Sequence, residues 1–161
     1  MHVLLKIGDT VKAETGGIDY KIDRYLGGGS QGEVYQVSAD GGPLALKWYF
    51  PRTATKTQRK ILEKLVEKGI PDPRFLWPMS IATSTIARDF GYLMALRPDG
   101  YRSIANLMTR KIDPSFRALT TACYHLADSF FQLHPKGLCY RDISFGNVFL
   151  DPMSGEILVC E

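Results

Sequence analysis

An α+β fold is predicted, with a sheet built from the first half of the chain and helices dominating the second. Three observations carry this. Short β-rich runs punctuated by glycine fill the first fifty residues, apolar residues recur at helical spacing between Pro114 and His134, and 45% of the 161 residues are hydrophobic against 23% charged, enough for a packed core. The 20 Lys and Arg exceed the 17 Asp and Glu by three without forming a basic cluster, so no nucleic-acid partner is expected. No stretch nears the roughly 20 apolar residues of a membrane span. Met1–Lys6 also lacks a basic segment leading into an apolar one, so neither a membrane nor export is expected. Cys123, Cys139 and Cys160 are odd in number and far apart, which suggests no disulfide framework and no metal site; a reducing cytoplasm is expected.

Val3–Ile7, Thr10–Ala13, Ile18–Leu26, Glu33–Ser38 and Pro43–Phe50 are predicted strands of an antiparallel sheet, and Asp40-Gly41-Gly42 is the tight turn joining the last two. Thr55–Lys68 places Ile61, Leu62, Leu65 and Val66 on one helical face and ends at Gly69. Strand character returns over Phe75–Ser84 and Phe90–Leu96, and Arg97-Pro98-Asp99-Gly100 breaks the chain in a turn taken as a lobe boundary. Beyond it, Ser103–Thr109 reads as a short helix. A long one, opened by Pro114, runs to His134 with Leu119, Ala122, Cys123, Leu126, Ala127, Phe130 and Phe131 at helical spacing. Leu138–Tyr140, Val148–Leu150 and Glu156–Cys160 read as short strands, the last two joined by the turn Asp151–Gly155.

Three motifs bear on chemistry. Gly27, Gly29 and Gly32 stand in a G-x-G-x-x-G frame within Leu26-Gly27-Gly28-Gly29-Ser30-Gln31-Gly32-Glu33-Val34. Such spacing lets a backbone fold over a triphosphate so that its N–H groups reach the oxygens, although an ordinary glycine-rich hairpin reads the same way. A strand, not a helix, follows the loop, so it is a hairpin tip rather than a dinucleotide fingerprint. In Leu44-Ala45-Leu46-Lys47-Trp48 a lone lysine lies in an apolar strand, where burial calls for an anionic partner such as phosphate. In Tyr140-Arg141-Asp142-Ile143-Ser144-Phe145-Gly146-Asn147 an acid and an amide stand five apart. There the carboxylate can take a hydroxyl proton while the amide oxygen helps hold magnesium.

With these motifs in this order the chain resembles the eukaryotic-like protein kinase domain of the Ser/Thr type, also found in bacteria. The resemblance runs from about Ile18 to the last residue and leaves the N-terminal hairpin as an appendage. It implies an N-terminal lobe over 1–97 and part of a C-terminal lobe over 98–161, with ATP and Mg2+ as cofactors and a protein as substrate or partner. Lys47 would pair with the α and β phosphates and Asp142 would act as catalytic base. Asn147 would ligate magnesium. The resemblance also implies that Leu26, Gly27, Gly28, Gly29, Ser30 and Gly32 line the phosphates. The base would lie between Val34 and Ala45 above and Phe149 below, with Met94 at the back and Ala95–Arg97 as the hinge; each of these apolar residues could equally be core.

The sequence departs from the family at several points. Counting from Lys47 makes Glu63 the helix acid that should meet the lysine, but at about 100° per residue Gln58 is the one on the apolar face, and the reading leans towards Gln58. Ser144 stands where these kinases carry a lysine, which removes a charge that serves the transition state. Glu161 takes the place of the metal-binding aspartate of D-F-G, with its carboxylate one methylene further out. The activation segment and later helices of the family are not in the sequence, so Leu119, Leu126, Phe130 and Phe145 are expected to form an exposed apolar patch, and the chain alone is expected to be inactive. The departures keep open a pseudokinase or nucleotide-sensing module, and a small-molecule kinase of the same fold comes third.

Overall fold

Residues 4–160 are described by a computed structural model, in which the chain divides into two compact units. The first comprises Met1–Ile70 and Trp77–Leu96, and the second Pro71–Leu76 and Arg97–Glu161.

The first unit contains β1 (Thr10–Ala13), β2 (Asp19–Gly28), β3 (Gly32–Ala39), β4 (Gly42–Tyr49), α1 (Lys56–Lys68), β6 (Ser80–Thr83) and β7 (Phe90–Ala95); β5 (Phe75–Leu76) belongs to the second unit. Its six strands close into an antiparallel barrel in the order β1-β2-β3-β4-β7-β6, where the sequence predicted an antiparallel sheet. Closure comes from β1 pairing with β6, Lys12 opposite Thr83 and Ala13 opposite Ala82. Alternation sends Val11, Ile22, Tyr35, Val37, Leu46, Trp48, Ala82 and Leu93 inward.

The N-terminal segment is therefore integral to this unit rather than an appendage. Leu5, 1% exposed, completes the barrel core. The backbone N–H of Leu4 donates to Glu33 Oε2 (2.9 Å) and that of Leu5 to the Tyr35 hydroxyl (3.1 Å), while the same hydroxyl donates to Glu33. Burial, then the Glu33 carboxylate, pushes the Tyr35 phenol well above its ordinary pKa. The strand predicted over Val3–Ile7 is absent among its described residues, Leu4–Ile7, which turn and bend; Val3 lies outside the described residues.

α1 follows the predicted bounds. Thr55 caps it, its hydroxyl accepting from Gln58 N at 3.1 Å, and Gly69 at φ +70° closes it by donating to the Leu65 and Val66 carbonyls. The predicted strand Phe75–Ser84 is cut at Trp77-Pro78-Met79, since Pro78 has no N–H for a ladder. Its two pieces serve different units: β6 joins the barrel and β5 the second sheet.

The second unit adds β8 (Arg102–Ser103), α2 (Ile104–Met108), α3 (Phe116–Leu133), β9 (Val148–Leu150) and β10 (Ile157–Cys160), with a sheet ordered β5-β10-β9-β8. Val148, Leu150, Ile157 and Val159 are buried on one face, and Phe149 and Leu158 alternate to the other. Ser115, not Pro114, starts α3, its hydroxyl accepting from Ala118 N at 3.1 Å. The turn before β10 approaches α3 so closely that a Cβ on Gly155 (φ +83°) would lie 2.7 Å from Thr121 Cβ. Leu138–Tyr140, predicted as a strand, is irregular and pairs with no strand among the described residues. Leu119, Leu126 and Phe130 are half-buried, and the exposed apolar residues of this unit include Phe116, Tyr124, Phe131 and Phe145. Among the described residues no helix is long and apolar enough to cross a membrane, and Cys123, Cys139 and Cys160 form no disulfide.

Candidate functional site

In the first unit the glycine-rich segment is the β2–β3 hairpin, closed by Gly29 N–H donating to Gly32 O at 2.9 Å. Its glycines serve different ends. None of Gly27, Gly28, Gly29 and Gly32 has a positive φ. A Cβ on Gly27 or Gly29 would meet nothing within 4 Å, leaving that backbone open to a ligand. A Cβ on Gly28 would lie 2.8 Å from the Tyr25 hydroxyl, with the Gly32 carbonyl oxygen at 3.6 Å and Glu33 Cγ at 3.7 Å, and Gly32 is glycine for a reason internal to the barrel. It lies opposite Tyr49, and a Cβ there would press into the Trp48 carbonyl, 2.9 Å from its carbon and 3.0 Å from Tyr49 Cα. Leu26 and Ser30 are exposed beside the loop tip.

Register gathers four of the predicted residues. Val34 pairs with Lys47 and Lys47 with Tyr92, while Gln36 pairs with Ala45 and Ala45 with Met94. Directly opposed residues share a face, so Val34, Ala45, Lys47 and Met94 all stand on the side of β3-β4-β7 opposite the barrel core, beside Gly27, which pairs with Val34. Lys47 is 7% exposed. Its Nζ donates to Gln31 Oε1 at 3.2 Å and lies 5.3 Å from the Tyr49 ring centroid.

Gln58 of α1 faces β4, where its Nε2 donates to the Tyr49 hydroxyl (3.1 Å). Glu63 points outward and takes Arg59 in an exposed i,i+4 pair at 3.1 Å.

In the second unit Asp142 and Asn147 meet directly. Asn147 Nδ2 donates to the Asp142 carbonyl (2.9 Å) and to Asp142 Oδ2 (2.8 Å), a bond that uses neither Asn147 Oδ1 nor Asp142 Oδ1. Their loop is fastened at both ends: Cys160 N–H donates to Asn147 O at 2.9 Å, the Tyr140 hydroxyl to Cys160 O at 2.6 Å, and Ser103 Oγ to Phe145 O at 2.9 Å. Between these ties Ile143 is 76% exposed, and Arg141 and Ser144 are exposed too. Phe149 lies on the less buried sheet face with the Arg97 guanidinium 4.1 Å from its centroid, a contact the sequence did not announce. Glu161 lies outside the described residues.

The donor chemistry fits the group the resemblance implies. Asp142 and Asn147 offer hard oxygens, of the kind magnesium shares with phosphates, and the buried Lys47 amine suits a polyanion. Among the described residues no three His, Cys, Asp or Glu side chains form a metal-holding group of their own.

No protein-family model matches the chain. Protein kinase MCK1 of Saccharomyces cerevisiae is 31% identical over 58 residues, covering 36% of this chain and 16% of that protein. Glycogen synthase kinase 1 of Pyricularia oryzae is 25% identical over 163 aligned residues, covering 97% of this chain and 40% of that protein. The crystal structure of the Mycobacterium tuberculosis PknI kinase domain superposes with a TM-score of 0.73 at 24% identity, over 97% of this chain and 62% of that one. The chain thus spans less than two thirds of the length of each of these three proteins. Its motifs, its fold and its sequence similarity to protein kinases point the same way, and the chain has a protein kinase-like fold.

Proposed function

We propose that the chain is the nucleotide-binding part of a protein kinase that transfers the γ-phosphate of ATP to Ser or Thr hydroxyls, working with magnesium in the cytoplasm on a protein substrate. The observation that carries this is the gathering of Val34, Ala45, Lys47 and Met94 on one sheet face beside the open backbone of Gly27. On this reading Val34, Ala45 and Met94 hold the base, and Leu26 and the Gly27–Gly32 hairpin cover the phosphates. Lys47 binds the α and β oxygens. Lobes at 1–97 and 98–161 belong to the same proposal, as do Phe149 as floor and Glu161 as a metal ligand.

Asp142 accepts the proton of the attacking hydroxyl as the new O–P bond forms and the bond to the β-phosphate oxygen breaks. Asn147 holds the Asp142 carboxylate by its amide N–H and keeps its own oxygen for the metal. Magnesium, when bound, neutralises charge on the phosphates. Ser144 supplies no cation to the transferring group, so transition-state stabilisation is weaker than with a lysine there.

Ser144 and the neutral Gln58 favour a second reading, a pseudokinase or nucleotide sensor. The two separate by one experiment on the intact protein. Radiolabel transfer from γ-labelled ATP to a generic protein is expected in the wild type and lost in Asp142→Asn, with ATP binding kept. Lys47→Met is expected to weaken ATP binding. Binding without transfer in the wild type establishes the sensor, and no ATP binding overturns both.

A further inference from the structure

The hairpin tip is strapped down. The Gln31 carbonyl accepts from Phe50 N–H (2.9 Å) and from Thr53 Oγ1 (2.5 Å), and the Ser30 carbonyl accepts from the Arg52 guanidinium (3.0 Å). These bonds fix the tip of the glycine loop against Phe50–Thr53, the segment leading from β4 towards α1. The Gln31 side chain then turns in, and its amide oxygen takes the Lys47 amine at 3.2 Å. Gln31 is half-buried and Lys47 buried.

An ammonium out of water is stable only among oxygen acceptors. The amide oxygen of Gln31 is a neutral acceptor at the nitrogen that a phosphate oxygen, a charged and stronger one, is expected to approach. We infer that Gln31 is a phosphate surrogate, holding Lys47 while the loop is strapped and competing with the nucleotide's phosphates for that amine. The inference rests on the nucleotide reading above and adds a regulatory element to it. Entry of a triphosphate breaks the Gln31–Lys47 bond, whereas a nucleoside, lacking phosphates, leaves it in place. The backbone straps do not depend on the Gln31 side chain, so the side chain can be changed without releasing the loop.

The test is a titration of this chain with Mg·ATP and, separately, with adenosine, followed by calorimetry, for wild type, Gln31→Ala and Gln31→Glu. Removing one hydrogen bond to a charged group is expected to tighten ATP binding by about fivefold or more in Gln31→Ala. Gln31→Glu, which offers Lys47 a carboxylate, is expected to weaken ATP binding by at least as much, and adenosine affinity is expected to stay within twofold throughout. ATP affinity that is unchanged or weaker in Gln31→Ala overturns the inference, as does a parallel change for adenosine. If the wild type binds no ATP, the nucleotide reading fails and takes this inference with it; if it binds ATP and ignores Gln31, only the inference fails. Circular dichroism of the three proteins, expected to be superimposable, shows that the loop change is local.

Discussion

The glycines of the hairpin are expected to separate into one that builds the barrel and others that serve the ligand, and two alanine substitutions test this. In Gly32→Ala the new methyl would lie 2.9 Å from the Trp48 carbonyl carbon and 3.0 Å from Tyr49 Cα, both backbone atoms of β4. Ordinary carbon contacts begin near 3.4 Å, so β3 and β4 must part by about half an ångström or more where Gly32 pairs with Tyr49. Overpacking of this kind costs about 1–3 kcal/mol, and a weakened ladder bond adds about 1 kcal/mol. For a unit of this size each kcal/mol lowers Tm by about 4–8 °C, which gives an expected drop of about 8–30 °C for the barrel. In Gly29→Ala the methyl meets nothing within 4 Å and the backbone φ is not left-handed, so stability should hold or rise by up to about 1 kcal/mol as the unfolded chain loses freedom. ATP affinity should nevertheless fall in Gly29→Ala, because the methyl intrudes on backbone that the phosphates approach, while adenosine affinity should not. Thermal melts read by circular dichroism, paired with calorimetric titration, give both quantities. A Gly32→Ala protein within about 0.5 kcal/mol of wild type would refute the steric argument, and a Gly29→Ala protein that binds ATP normally would refute the division of labour.

Two further outcomes concern pH. Tyr35 titrates above its unfolded value, so its contribution is fully present below about pH 10 and is lost as pH rises beyond that. Tyr35→Phe, which removes the donor to Glu33 and the acceptor of Leu5 N–H, should cost about 1–3 kcal/mol at neutral pH, and its Tm deficit should shrink above pH 10; a constant deficit refutes this. Asp128 titrates below its unfolded value, chiefly because Arg74 donates to it at 2.8 Å, so its contribution is present above about pH 4 and is lost as pH falls through the folded pKa. The Tm difference between wild type and Asp128→Asn should therefore narrow below pH 4, and one that does not change with pH overturns the assignment.

What could be read from the residues were the elements with strong local signals. Period-2 runs gave β2, β3 and β4, and Thr55 with Gly69 bounded α1 to within a residue. What escaped was non-local. Closure of the barrel depends on β1 meeting β6, about seventy residues apart, and nothing in Thr10–Ala13 names that partner. Leu138–Tyr140 has the composition of a strand but no strand to pair with, and Pro78 divided one apolar run between two sheets. The site behaved likewise. Ala45 and Lys47 share a face by i,i+2 spacing alone, but adding Val34 and Met94 requires the cross-strand register of β4 with its hairpin partner β3 and with the sequence-distant β7. The Gln31–Lys47 bond spans that register as well, so a glutamine inside a glycine motif carries no signal of it. Asp142 and Asn147 were legible because one short loop holds both.

The helix partner of β4 shows where motif counting and physical patterning diverge. Counting from Lys47 selects Glu63, whereas helical phase selects Gln58. In the structure Gln58 Nε2 reaches the Tyr49 hydroxyl at 3.1 Å, two residues from Lys47 on the same strand face, while exposed Glu63 takes half-buried Arg59 at 3.1 Å. An exposed i,i+4 pair contributes at most about 0.5 kcal/mol, so Glu63→Ala should leave both the melt and ATP binding near wild type. Gln58→Ala removes the donor that ties α1 to β4 and should cost about 1 kcal/mol, read as a Tm drop of about 4–8 °C. Because Tyr49 also lies beneath the Lys47 amine, loosening it should weaken ATP binding more than adenosine binding. The reverse pattern, a silent Gln58→Ala and a Glu63→Ala that loses ATP, would mean that α1 turns by about 140° to present its acid when nucleotide binds, and the phase argument would then describe only the ligand-free chain.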